Sequence, residues 1–207
     1  MKIIGGALAL LLAAGSPSWA GLPDAAWSTA FPMPVPALPV LVPPAPSFPV
    51  FAALPPVPVV VFKGLSIKGV QFSRTDLISA SLVAAIDKTG KTLLLSIYDL
   101  KLPEVADAIL RAKARGVAIR LVYDESHIKS GPSPEYQRLL DGGVPIRILK
   151  GGGSFGIMHN KFAVFDGELL ATGSYNWTAA ADAKNFENEI FRTDAAVVAG
   201  FTRYLNW

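Results

Sequence analysis

Two short runs in the C-terminal third of the chain concentrate side chains able to work on a phosphate. His159-Asn160-Lys161 opens the apolar run Phe162-Ala163-Val164-Phe165, which ends at Asp166. Gly173-Ser174-Tyr175-Asn176 follows. On an extended backbone residues i and i+2 share a face. His159 and Lys161 therefore point one way, as do Ser174 and Asn176. On adjacent strands the two runs would bring an imidazole, an ammonium, a hydroxyl and an amide around one point. The Lys161, Ser174 and Asn176 donors would bind a phosphate and stabilise charge developing on its oxygens. His159 among them would be the nucleophile or the acid/base group. Nothing in this set demands a metal or another cofactor. Tyr175 and Trp177 alternate with these residues and are expected in the core, with base stacking the weaker reading.

Three other features compete for attention. His127-Ile128-Lys129 repeats the His-x-Lys spacing, but Ser130-Gly131-Pro132-Ser133-Pro134 follows it. That stretch cannot form an apolar strand, so His127 is read as an ordinary loop residue. Gly151-Gly152-Gly153-Ser154-Phe155-Gly156 satisfies a dinucleotide-binding spacing. Such a site needs a helix to begin there, whereas the His159 strand follows, so the segment reads as a loop bordering the site. Asp166 precedes Gly167 at a turn, a structural use of aspartate.

Composition narrows the chemistry further. The 207 residues contain no cysteine, which excludes disulfides, thiolate zinc sites and a cysteine nucleophile. The two histidines exclude histidine-rich metal sites, though not carboxylate sites for hard cations. A formal net charge of +3 fits an anionic substrate without requiring one.

The elements that must position the site follow from periodicity. Leu65–Phe72, Thr92–Tyr98, Val117–Tyr123, Val144–Leu149, Lys161–Phe165 and Leu169–Thr172 read as strands. Thr75–Lys88, with Asp76 in its first turn, reads as a helix, as do Pro103 to about Gly116, Pro134–Leu140, Thr178–Lys184 and Ala195–Tyr204. Strands alternating with helices predict an α/β domain, a sheet flanked by helices on both faces. Ahead of it, Lys2, the apolar run Ile3–Ala14 and Ser18-Trp19-Ala20 read as an export signal over residues 1–20. Residues 21–62 are rich in proline and read as an extended low-complexity linker. Its apolar residues leave room for weak membrane contact. The folded domain is then 63–207, in an exported, periplasmic or secreted protein.

The spacing H-x-K, four residues, D, six residues, G-S-x-N resembles the signature of the phospholipase D superfamily at His159, Lys161, Asp166, Gly173, Ser174 and Asn176. Asn185-x-Glu187-Asn188 is similar to the continuation of that motif in the family's small single-motif bacterial endonucleases. The resemblance spans about Leu65 to Trp207 and leaves the proline-rich segment uncovered. It implies a mixed sheet between helices and a metal-free phosphodiesterase. In this family two such motifs meet: one histidine forms a phosphohistidine and the other protonates the leaving oxygen. One full motif per chain implies a homodimer with a shared site. The resemblance also implies that Asp166 and Gly173 are structural and that Glu187 hydrogen-bonds the far nitrogen of His159. Three functions are consistent with this: a nonspecific endonuclease on DNA or RNA, a phospholipase D acting on phosphatidyl head groups, or a non-catalytic phosphate-binding module. For nucleic acid, Lys150, Lys184 and Arg192 are candidate phosphate contacts.

Overall fold

The computed structural model describes residues 55–205. The residues read as an export signal and most of the proline-rich segment lie outside these residues. The domain is built on two apolar runs buried on both sides. β4 (Thr92–Ile97) and β5 (Ala118–Asp124) lie parallel at the centre, and β6 (Ile146–Leu149) continues the parallel set. The helices between them are α2 (Pro103–Ala114), α3 (Glu125–Lys129) and α4 (Pro134–Asp141). On the other side of β4 the chain runs antiparallel through β7 (Lys161–Phe165), β8 (Leu169–Gly173) and β9 (Asn188–Arg192). β3 (Val70–Phe72) closes that edge, giving the order β3-β9-β8-β7-β4-β5-β6. The remaining helices are α1 (Ile78–Lys88), α5 (Ala179–Ala183) and α6 (Ala195–Tyr204).

The two-residue period of β7 separates two cores. Ala163 and Phe165 join Ile78, Leu82 and Ile109 of α1 and α2. Phe162 and Val164 join Val198 of α6 on the opposite face. Helices thus cover both faces, as the pattern predicts. Antiparallel returns bring the ends of β3, β4, β5, β6 and β8 and the starts of β7 and β9 to one edge of the sheet.

Several boundaries differ from the sequence expectation, each for a local reason. Leu65–Phe72 is two strands, β2 (Leu65–Lys68) and β3, broken at Gly69. There the backbone closes on Pro58: the Gly69 N–H donates to Pro58 O at 2.7 Å, and a Cβ at 69 would lie 2.7 Å from the same oxygen. β2 instead pairs with β1 (Val59–Phe62), which the proline-rich composition hid inside the linker. α1 begins three residues later than expected. Asp76 sits ahead of it, accepting from Phe72 N at 2.9 Å and Lys68 Nζ at 2.8 Å. β9 escaped notice because its inward positions are Glu189 and Phe191 while Ile190 faces out, blurring the apolar alternation. His127 is on the short helix α3, not in a loop.

Candidate active site

At the shared edge His159 is exposed and Lys161 is 7% exposed beneath it. Lys161 Nζ donates to His159 O at 3.1 Å and lies 4.9 Å from the centre of the Tyr98 ring. The His159 imidazole packs edge-on to the same ring, at 4.6 Å between centroids. The ring sits there because β4 and β7 pair with Ile97 opposite Lys161. Partial desolvation of the ring against its neighbours, and then the Lys161 ammonium, hold the His159 pKa below its ordinary value, and Asp124 opposes them. At neutral pH the imidazole is therefore mainly unprotonated, the form a nucleophile needs. Burial also lowers the Lys161 pKa, while Glu187 and Asp99 favour its charge.

The Gly173–Asn176 run enters from β8. Gly173 is required by packing: a Cβ there would collide with Asn188 O and lie 2.7 Å from Glu189 Oε2. Ser174 donates to Glu187 Oε2 at 2.5 Å and accepts from Asn188 N at 3.2 Å. Asn176 is half-buried, and its Oδ1 is buried without a partner. Trp177 N donates to Asp99 O at 3.0 Å, and Lys101 N to Trp177 O at 2.7 Å, lacing this run to the end of β4. Tyr175 and Trp177 are core residues as expected, with the Tyr175 hydroxyl on Asp182 Oδ1 at 2.6 Å.

The Glu187 expectation needs correction. Both of its oxygens are occupied, Oε2 by Ser174 and Oε1 by Asn185 Nδ2 at 3.0 Å. No hydrogen bond joins it to His159; the anion that favours the imidazolium is Asp124. Asp124 is fully buried and accepts from Met158 N at 2.6 Å and Ser126 N at 2.9 Å, fixing the chain just before His159. His127 is also nearer than expected. It packs edge-on to Tyr98 at 4.5 Å, with Nδ1 3.6 Å from Asp99 Oδ1.

Asp166 lies at the far end of β7 as a scaffold. It accepts from the backbone N–H groups of Gly90, Lys91 and Thr92 at 2.7–2.9 Å and pairs with Lys63. Of the candidate phosphate contacts, Lys150 follows β6 at the site edge and Lys184 follows α5 toward Glu187; both are exposed. Arg192 ends β9 at the opposite edge, away from His159. Tyr98, Asp99 and Asp124 were missed in the sequence. A signal was present: Tyr98-Asp99 and Tyr123-Asp124 both close apolar parallel strands, at the carboxyl edge where open α/β sheets place their sites.

Comparison with known proteins agrees with this fold. Residues 82–207 match the family described as "Cardiolipin synthase, PLD-like domain". A mitochondrial cardiolipin hydrolase of Xenopus tropicalis is 32% identical over 127 residues, 61% of this chain and 59% of that protein. A phospholipase D of Rickettsia conorii is 33% identical over 122 residues, 59% of this chain and 58% of that protein. The chain thus spans somewhat under two thirds of the length of these relatives. Among solved structures, NucT from Helicobacter pylori superposes with a TM-score of 0.59 at 23% identity, over 66% of this chain and 91% of its own. Nuc from Salmonella typhimurium, a phospholipase D family member, gives 0.57 at 26% identity, over 66% and 89%. With the family match extending over more than half its length, the chain belongs to the phospholipase D superfamily, through its PLD-like domain.

Proposed function

We propose that the chain is a phosphodiesterase that hydrolyses nucleic acid without sequence preference, in a site completed by a second copy. The observation that carries this reading is the exposed His159 beside the buried Lys161, with both side chains packed on the Tyr98 ring. An imidazole nitrogen attacks phosphorus, forming a P–N bond as the P–O bond to the leaving group breaks. The departing oxygen takes a proton from His159 of the second copy, the member of the pair that enters the step as the imidazolium. Water then attacks phosphorus, returns a proton to that imidazole, and breaks the P–N bond. Lys161 and Asn176 hold the non-bridging oxygens throughout. Ser174 joins them once its hydroxyl turns from Glu187. No step is assigned to a metal. The export signal would place the enzyme in the periplasm or outside the cell.

Nucleic acid is favoured by the resemblance to small bacterial endonucleases and by the cationic Lys150 and Lys184 at the site edge. A second reading, hydrolysis of phosphatidyl head groups, is favoured by the relatives named cardiolipin hydrolase and phospholipase D. The test offers plasmid DNA, RNA and cardiolipin or phosphatidylcholine vesicles to the full chain and to His159→Ala, with a chelator present. Nucleic-acid cleavage lost in the variant supports the first reading, and turnover of vesicles alone replaces it with the second. An active protein that sediments only as a monomer would refute the shared site.

A further inference from the structure

The turn after β3 and the loop before β9 are joined by one buried side chain. Ser73, 4% exposed, donates its hydroxyl to Asn185 O at 2.7 Å and accepts from Glu187 N at 2.8 Å. Its own N–H donates to Glu187 O at 3.0 Å. Both neighbours of Phe186 are therefore fixed, while Phe186 itself stands 87% exposed. Arg74 adopts a left-handed φ of 67°, uncommon for a residue with a Cβ. Its guanidinium lies over the Phe186 ring at 4.9 Å. Among the described residues no carboxylate pairs with Arg74.

A lone exposed apolar side chain is ordinary on a protein surface. Phe186 is distinguished by the clamp that presents it, the cation on one of its faces, and its place next to Glu187, which faces Lys161 electrostatically. Arg74 occupies one face of the ring and leaves the other to solvent. A planar group can stack there, and the unpaired N–H edges of the guanidinium can take an anion beside it. An aromatic face with an adjacent cation is how single-stranded nucleic acid is held without reading its sequence. Lys184, exposed two residues ahead, adds positive charge on the same approach.

We propose that Phe186 and Arg74 form a subsite for single-stranded nucleic acid next to the scissile phosphate. Phe186 stacks on a nucleobase and Arg74 binds the phosphate attached to it. This rests on the nuclease reading above and deepens it. The test compares the full-length protein with Phe186→Ala, Phe186→Trp and Arg74→Asn, asparagine being tolerant of the left-handed backbone. Substrates are a single-stranded oligodeoxynucleotide, cardiolipin vesicles, and bis(p-nitrophenyl) phosphate, a diester too small to leave the catalytic groups. Phe186→Ala and Arg74→Asn should each raise the oligonucleotide KM roughly tenfold, the size of one lost base stack. Turnover of the small diester should stay unchanged, and Phe186→Trp should keep or lower the KM. An unchanged oligonucleotide KM in both Phe186→Ala and Arg74→Asn overturns the subsite. Wild-type protein that turns over the small diester but no oligonucleotide overturns the nuclease reading itself. A Phe186→Ala defect confined to cardiolipin vesicles would make Phe186 a bilayer contact and also overturn the subsite.

Discussion

The two ends of β7 show opposite uses of polar side chains. At the C-terminal end Asp166 accepts three backbone hydrogen bonds and pairs with Lys63. Burial alone would raise its pKa, but Lys63 and the three amides together hold it below the ordinary carboxylate value. At the N-terminal end Asn176 Oδ1, Asp99 Oδ1 and His127 Nε2 are buried without hydrogen-bond partners, and His159 is exposed. Buried polar groups in a folded protein are nearly always paired. Where several are not, the stabilisation has been forgone, and such clusters occur where a ligand completes the arrangement. One strand thus carries its structural anchor at one end and its chemistry at the other.

Substitutions at the two ends should separate activity from stability, the largest effect coming from the chemical end. His159→Ala should lower kcat by at least about 1,000-fold, as loss of a nucleophile does. Its Tm should stay within about 1–2 °C of wild type, because the side chain is exposed and makes no hydrogen bond among the described residues. Asp166→Ala should do the reverse. Removing an anion shared by three amides and a lysine should cost roughly 2–4 kcal/mol, or about 5–15 °C in Tm for a domain of this size, with kcat nearly intact below the transition. Parallel calorimetry and kinetics read both. A large Tm loss in His159→Ala, or an unchanged Tm in Asp166→Ala, would erase the distinction. The Asp166 contribution is also acid-sensitive: with a depressed folded-state pKa, it is present above about pH 4 and is lost as pH falls through the folded value.

Much of this organisation is legible in the sequence because a strand's period fixes which side chains share a face. His159 with Lys161, Tyr175 with Trp177, and Asp166 at its turn could all be placed that way. The order of strands and helices followed from apolar runs buried on both sides, such as Leu93–Ile97. What could not be read arose from contacts between distant segments. Glu187 bonds Ser174 because β8 and β9 pair, and the packing of Tyr98 between His127 and His159 needs the ends of β4, α3 and β7 together. β9 itself was obscured by a carboxylate at an inward position.

That carboxylate offers a second contrast, because the Glu189 side chain is buried as that of Asp166 is but has no such partners. It is 1% exposed, lies over Gly173, and its Oε2 is unpaired. Its cross-strand neighbour Gln71 also has a buried, unpaired Oε1. Burial pushes the Glu189 pKa well above its usual 4.5, so the protonated form, able to donate a hydrogen bond, is the one the fold accepts. The stability it supports is complete below the unfolded-state pKa of about 4.5 and is lost as pH rises toward the folded value, opposite in sign to Asp166. Glu189→Gln keeps the shape and a donor without the charge. It should raise Tm at neutral pH by a few degrees, on the order of 1 kcal/mol, and flatten the slope of Tm against pH above the unfolded-state value of about 4.5. An unaltered slope would mean that Glu189 is ionised where it sits.

The smallest effect expected is also the most direct reading of the chemical end. His127 and His159 are the only two imidazoles in the chain, so an NMR titration resolves both. The His159 pKa is lowered first by burial and then by Lys161, and Asp124 pulls the other way. Lys161→Met keeps the aliphatic bulk against Tyr98 and removes the like charge, so it should raise the His159 pKa. Asp124→Asn removes the favourable anion and should lower it further. These opposite signs isolate electrostatics from packing, because any loosening of the site would relieve burial and raise the pKa in both variants. Equal upward shifts would therefore assign the neutral imidazole to burial alone, leaving Lys161 as a ligand for phosphate with no hand in setting the state of the nucleophile.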